Sequence, residues 1–399
     1  MRILHVAWEY PPLVYGGLGR HVHALTLAQA AEGHEVVVVT QASPEAPADE
    51  LADGVRVVRG AAAPEWEFST ANLVAWVAEL DANLAAAAQA VVSDWRPDVV
   101  HCHDWMTTRA GSAAAEAADV PLFATIHATE RGRHQGHLYG DVSLTVDGIE
   151  RFLCHRADAL IVCSAAMRYE VQQQFAVPGD RVTVIPNGVD QAAWSVEPAA
   201  CAEARARWLP EGGSGLIVYT GRLEAEKGIF TLLDAMPAVL AARPSTRLVL
   251  AGSGGQQATF DQVCRERGLV DSVVRSGWLP EGELKSLIGA ADAAVVPSLY
   301  EPFGMVALEA MSLGAPVVAS RTGGLADIVI DGETGRSVPP GDPVALAGAL
   351  CATMADPIGS RVMAAEARAL LEQRYDWGFI ARDTVNYYRA AAELRSHAG

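Results

Sequence analysis

The chain has 399 residues, half of them apolar and a fifth charged, with 30 Lys and Arg against 48 Asp and Glu for a formal charge of −18. That length exceeds one ordinary core, so two domains are expected, and the acidic surplus disfavours nucleic acid or an anionic membrane as partner. An anion bound by such a chain must meet a local cluster of donors.

The first segment, "MRILHVAWEYPP", turns polar after one short strand, so no secretory signal is expected. The longest apolar runs, such as "LAAAAQAVV", are too short for a transmembrane segment. Six cysteines (102, 154, 163, 201, 264, 351) form no C-x-x-C pair, which suits reduced thiols and a cytoplasmic location.

Strands are expected at "RILHVAW", "EVVVVT", "DVVHCHD", "PLFATIHA", "ALIVCS" and "VTVIPNG", separated by longer Ala-rich segments with helical spacing. Near-continuous apolar strands alternating with helices indicate parallel sheets covered on both faces. "YPPLVYGGLGRHVHALTLA" joins the first strand to the first helix, where Gly16, Gly17 and Gly19 let backbone approach an anion closely. His21 and His23 on that helix read as surface or packing residues. "HCHDW" puts His101 and His103 on one face of a strand without a regularly spaced third ligand, so no metal site is expected. In "TIHATERGRHQGHLYG", His127 ends a buried strand ahead of a loop rich in Arg and His.

A looser stretch from Gln191 to Gly215 marks the expected boundary, and alternation resumes with "GLIVYTGR", "RLVLAGSG", "VVRSGW", "DAAVVPS" and "APVVAS". The predicted architecture is α/β: two Rossmann-like doubly wound domains, 1–190 and 191–375, facing each other across a cleft. A C-terminal helix at 376–399 is expected to pack back across their junction. "YTGRLEAEKG" places Arg222 at a strand end and Lys227 at the next helix start, two cations suited to a diphosphate. "VVPSLYEPFGMVALEAMSLGAPVVAS" reads as strand, turn and helix. The amides near Phe303, Gly304 and Met305 form an anion site there, with Glu301 and Glu309 turned toward a ligand above the helix start. Carboxylates that accept paired hydroxyls suit a sugar. "SRTGGLADIV" adds Gly323 and Gly324 at a further junction.

Together "EYPPLVYGGLG", "HCHDW", "TIHATE", "IPNGVD", "GRLEAEKG", the Glu301–Glu309 pair and "TGGLAD" give the whole chain a family likeness. It resembles the retaining, nucleotide-sugar-dependent glycosyltransferases with two Rossmann-like domains (the GT-B type), most closely the glycogen and starch synthase branch. The resemblance implies an acceptor-side first domain and a donor-binding second domain. Arg222 and Lys227 would hold the donor diphosphate, with Gly17 and its neighbour Gly16 adding backbone contacts. Glu309 would grip the ribose, Glu301 with the backbone at Phe303, Gly304 and Met305 the sugar hydroxyls, and Gly277 and Leu279 the base. His127 would position the sugar 6-hydroxyl, its own carbonyl facing the anomeric carbon, and Asp104 would lie near the acceptor. It implies no metal and no cofactor, with an ADP-, UDP- or GDP-sugar as donor and an oligosaccharide or glucan-like acceptor. The lack of a D-x-D run agrees.

One departure is Val14, where bacterial glycogen synthases carry a Lys two residues before the paired glycines. The first expectation is hexose transfer, glucose first, to an α-1,4-glucan. The alternatives are a mannosyl-, N-acetylglucosaminyl- or lipid-directed transferase, or an α-glucoside phosphorylase.

Overall fold

Runs of β-branched residues become the inner strands of two sheets, one in each of two units formed by Met1–Asn187 with Trp377–Gly399 and by Gly188–Asp376. The computed structural model describes residues 1–66, 69 and 71–398.

In the first unit the strands are Arg2–Val6 (β1), Glu35–Gln41 (β2), Asp49–Ala52 (β3), Val55–Ala61 (β4), Val99–His103 (β5), Leu122–Ile126 (β6), Ala159–Val162 (β7) and Val182–Val184 (β8). Their spatial order is β3-β4-β2-β1-β5-β6-β7-β8, and every pair is parallel except β3 with β4. Parallel neighbours need crossovers, which helices such as Gly17–Ala31 and Thr108–Ala118 supply. Burial on both faces explains the unbroken "VVVV" of β2, whose four valines are all buried. At the edge, β3 is short and carries acidic side chains, which blunts it against pairing with another chain.

The helix Trp377–Ala398 belongs to this unit and packs on Gly17–Ala31. Its Ile380, Ala381, Val385 and Tyr388 share a core with Ile3, Leu25, Val99 and Phe123.

In the second unit the strands are Gly215–Thr220 (β9), Thr246–Ala251 (β10), Val273–Gly277 (β11), Ala293–Val296 (β12), Val317–Ser320 (β13) and Arg336–Val338 (β14), in the order β11-β10-β9-β12-β13-β14 and all parallel. This is the doubly wound order, reversing direction between β9 and β12; in the first unit the reversal falls between β1 and β5. Ligands of such sheets bind beyond the carboxyl ends of the strands at the reversal. No helix among the described residues is long and apolar enough to cross a membrane.

Two glycines hold the second unit's edge together. A Cβ at Gly228 would sit 1.8 Å from the Pro297 carbonyl oxygen, and one at Gly323 1.8 Å from that of Glu301; both have positive φ, +69° and +52°. Only glycine allows such approach. Gly323→Ala is expected to lower stability by at least about 2 kcal/mol. Gly348, exposed inside the helix Pro343–Ala355 with open space around it, is a contrasting site; Gly348→Ala should add roughly 0.5–1 kcal/mol. Denaturant unfolding of both variants checks the pair.

Candidate active site

At the second unit's reversal, β9 leads into Gly221 and Arg222, and β12 leads into Pro297–Glu301. The short turn Ala225–Lys227 carries the backbone across: the Glu226 carbonyl accepts the Leu299 and Tyr300 amides at 2.8 and 3.2 Å. Side chains follow that scaffold. Lys227 Nζ donates to Glu301 Oε2 at 2.9 Å, and the Ser298 hydroxyl donates to the same oxygen at 3.0 Å. Arg222 donates to Glu226 Oε1 at 3.0 Å and is otherwise the more exposed of the two cations. Cation, carboxylate and cation thus stand at one sheet edge, fixed by backbone.

The helix Met305–Ser312 begins after Gly304, whose φ is +116°. None of the Phe303, Gly304 and Met305 amides reaches a backbone carbonyl among the described residues. The Phe303 ring itself is buried, 6.0 Å from Tyr375. Glu309 lies inside this helix at 2 % exposure. At the end of β11, Gly277 has φ +72° and open space around it, Leu279 is buried, and Trp278 between them is exposed.

In the first unit the glycine junction already holds an anion. Glu9, following β1, accepts the Tyr15 and Gly16 amides on Oε2 and the Gly19 amide at 3.1 Å on Oε1. The Gly16 amide therefore serves the fold, and Gly17 is not among the amides taken. Burial raises the Glu9 carboxyl above its usual range, while those three amides pull it down.

Asp104 follows β5 with φ 59° and ψ 176°, a backbone region other residues than glycine rarely adopt. Its Oδ1 accepts the His127 amide at 2.7 Å, so the side chain positions the end of β6. Burial raises its pKa to about 6 against Arg133 and the His127 and Ala128 amides, which lower it.

Around His127 the structure assembles histidines far apart in sequence. β1 and β5 place His5 beside His101 in register. His5 Nδ1 lies 3.1 Å from His103 Nε2, and His103 Nδ1 lies 3.2 Å from His127 Nε2. His101 bonds the Tyr388 hydroxyl at 2.6 Å and Thr125 Oγ1 at 2.7 Å. His21, read from sequence as a surface or packing residue, is 3 % exposed and edge-on to His127 at 4.8 Å. Sequence reading missed His5, His21 and the Gln29 that bonds His5; only the alternation of His101 and His103 hinted at an inward histidine face. Two triplets, His5–His101–His103 and His21–His103–His127, are close enough to hold a metal ion. Both ring nitrogens of His101 are engaged by hydroxyls, and His103 uses both of its own on neighbouring rings. A hydrogen-bonded network accounts for His5, His101 and His103, while the two ring nitrogens of His21 take no part in it.

Comparison with known proteins adds the following. The family described as Glycosyltransferase Family 4 matches residues 15–193, and Glycosyl transferases group 1 matches residues 202–370. A glycogen synthase of Mycobacterium tuberculosis is 42 % identical over 403 residues, covering 98 % of this chain and 95 % of its own. An alpha-maltose-1-phosphate synthase of Mycolicibacterium smegmatis is 31 % identical, covering 98 % and 99 %. Among solved structures, a sucrose-phosphate synthase from Thermosynechococcus elongatus aligns with TM-score 0.81 and 26 % identity, over 98 % of this chain and 99 % of its own.

The buried titratable groups give the first unit a pH dependence. Burial holds His5 down to about 4, His127 to about 3, and His21, His101 and His103 well below the ordinary 6.5. Below pH 6.5 the unfolded chain protonates these side chains and the folded one does not. Each therefore removes up to about 1.4 kcal/mol of stability per pH unit of acidification. Burial opposes this through carboxyls that protonate first in the fold: Glu150 at about 8, Asp81 and Asp104 at about 6, and Glu9. Five histidines outweigh four carboxyls, so the denaturant midpoint is expected to fall from pH 7 to pH 5.5. A midpoint that rises would show the carboxyls dominant.

Proposed function

The chain belongs to the GT-B glycosyltransferases that join a family 4 domain to a group 1 domain, and on that premise we propose that it is a retaining hexosyltransferase. It takes the hexose, glucose first, from a nucleotide diphosphate donor and adds it to an α-1,4-glucan. The observation that carries this reading is the Lys227–Glu301 contact at 2.9 Å with Arg222 beside it. An ammonium carries three N–H donors, so holding Glu301 leaves Lys227 two for phosphate oxygens. Arg222, the more exposed cation, adds a guanidinium fork for the same diphosphate.

Departure of the nucleotide puts negative charge on the diphosphate, and fixed donors that meet it lower the barrier. Two cations and the amides at Phe303, Gly304 and Met305 supply such donors without a metal. Glu301, paired with Lys227, accepts sugar hydroxyls and positions the ring; it is not assigned as a base. Glu309 accepts the ribose hydroxyls, and backbone at Gly277 and Leu279 meets the base. His127 faces the sugar and Gly17 adds an amide toward phosphate. Asp104, whose Oδ1 accepts the His127 amide, places His127 and lies toward the acceptor. Glucose and a glucan are favoured because the 42 % identical relative is named a glycogen synthase. A second reading, a phosphorylated glucose as acceptor, draws on the relative named alpha-maltose-1-phosphate synthase.

The test is nucleotide release from ADP-, UDP- and GDP-sugars with maltooligosaccharides or glucose 1-phosphate as acceptor, followed by the anomeric configuration of the product. Release with neither acceptor overturns both readings, and an inverted product overturns retention. Lys227→Ala and Glu309→Ala should each lower turnover by at least about tenfold, since each removes a charged contact. Glu309→Gln, which keeps the buried volume, separates lost contact from lost packing. Wild-type rates in folded Lys227→Ala and Glu309→Ala would refute the site.

A further inference from the structure

Three imidazoles and one amide in the first unit are joined end to end. Gln29 Oε1 lies 2.8 Å from His5 Nε2, His5 Nδ1 3.1 Å from His103 Nε2, and His103 Nδ1 3.2 Å from His127 Nε2. Gln29, His5 and His103 are each fully buried, so water does not intervene. A neutral imidazole has one proton; it donates at one nitrogen and accepts at the other. In a row of such rings, the group at one end sets the direction of every bond. Gln29 closes the inner end with a carbonyl oxygen, which only accepts. His5 must then carry its proton on Nε2 and accept at Nδ1. His103 repeats the arrangement, and so does His127.

We propose that Gln29, acting through His5 and His103, fixes His127 as the Nε2–H tautomer. The nitrogen His127 has left for substrate, Nδ1, is then an acceptor and recognises a sugar hydroxyl as a donor. This rests on the reading of His127 as the sugar-facing residue. Gln29, His5 and His103 are positioning residues, since each reaches substrate only through His127. Burial supports neutral rings throughout, holding His5 down to about 4 and His127 to about 3. The ring plane is held as well: His21 stands edge-on to His127 at 76°, and Asp104 holds the His127 amide. The outcome is sensitive to one choice at the far end. Turning the Gln29 amide over would present an N–H to His5 and reverse all three protons, leaving His127 a donor toward substrate.

The experiment is nitrogen-15 NMR of the histidine rings in the full chain at neutral pH, with the His127 signals identified by their loss in His127→Asn. The expected spectrum shows His127 protonated on Nε2 and bare on Nδ1. A bare Nε2 with protonated Nδ1, an imidazolium, or a stoichiometric metal ion on these rings by elemental analysis would each overturn the proposal. Kinetics supply a second readout. Gln29→Met, which removes the acceptor, should lower kcat at least about tenfold with the donor KM little changed, and Gln29→Glu, which keeps an acceptor oxygen, should recover most of it. Equal rates in Gln29→Met and the parent, or equal losses in both variants, count against the relay. Should Gln29→Met fail to fold, the parent spectrum decides. Because that spectrum needs no substrate, an absence of sugar transfer overturns the functional reading alone, while the wrong tautomer overturns the relay alone.

Discussion

The site edge of the second unit depends on close backbone-to-backbone approaches, two of which hold the Glu301 segment. Gly228 stands against the Pro297 carbonyl and Gly323 against that of Glu301, each at a distance no side chain would permit. The first contact clamps the turn bearing Lys227 to the segment leaving β12. The second clamps the loop after β13 to the same segment, and the Gly324 amide donates to the Glu301 carbonyl at 3.1 Å. Glu301 is thereby fixed from both sides before its side chain meets anything. The ion pair with Lys227 is a product of that interlock, and its modest intrinsic worth at a partly exposed edge would not assemble the arrangement by itself.

The first unit solves its polar problem by another route. It buries imidazoles in the neutral form: His5 and His103 bond neighbouring rings, Gln29 bonds His5, and Thr125 and Tyr388 bond His101. A buried neutral ring with both nitrogens bonded costs far less than a buried charge. The same economy governs the carboxyls of Asp104 and Glu9, which take backbone amides as partners. One unit therefore presents charged side chains at a sheet end and the other a row of hydrogen-bonded imidazoles.

How far this could be read in advance differs between elements. Inner parallel strands announce themselves, because burial on both faces demands runs such as "EVVVVT". The strand β4, next to the edge, did not: its "VRVVRGA" alternates buried and partly exposed positions, a pattern outside the unbroken runs that marked the others, and β14 has only three residues. At the site, local spacing carries Arg222, Lys227 and Glu301, which sit in short motifs beside strand ends. The histidine network was hidden because His5, Gln29, His101 and His127 come from different strands and helices, and only their register brings them together. Gly16 shows the converse limit. Its place in a glycine cluster suggests an anion contact, and the anion it meets is Glu9, from the start of the same motif.

The return of the final helix to the first unit has a consequence for biosynthesis. Residues 188–376 form their own unit and are synthesised before Tyr388. The sheet made first must wait, with Ile3, Val99 and Phe123 lacking the Ile380, Val385 and Tyr388 that cover them. Completion of the two cores thus runs opposite to the order of translation, and the earliest-made half is the last to close.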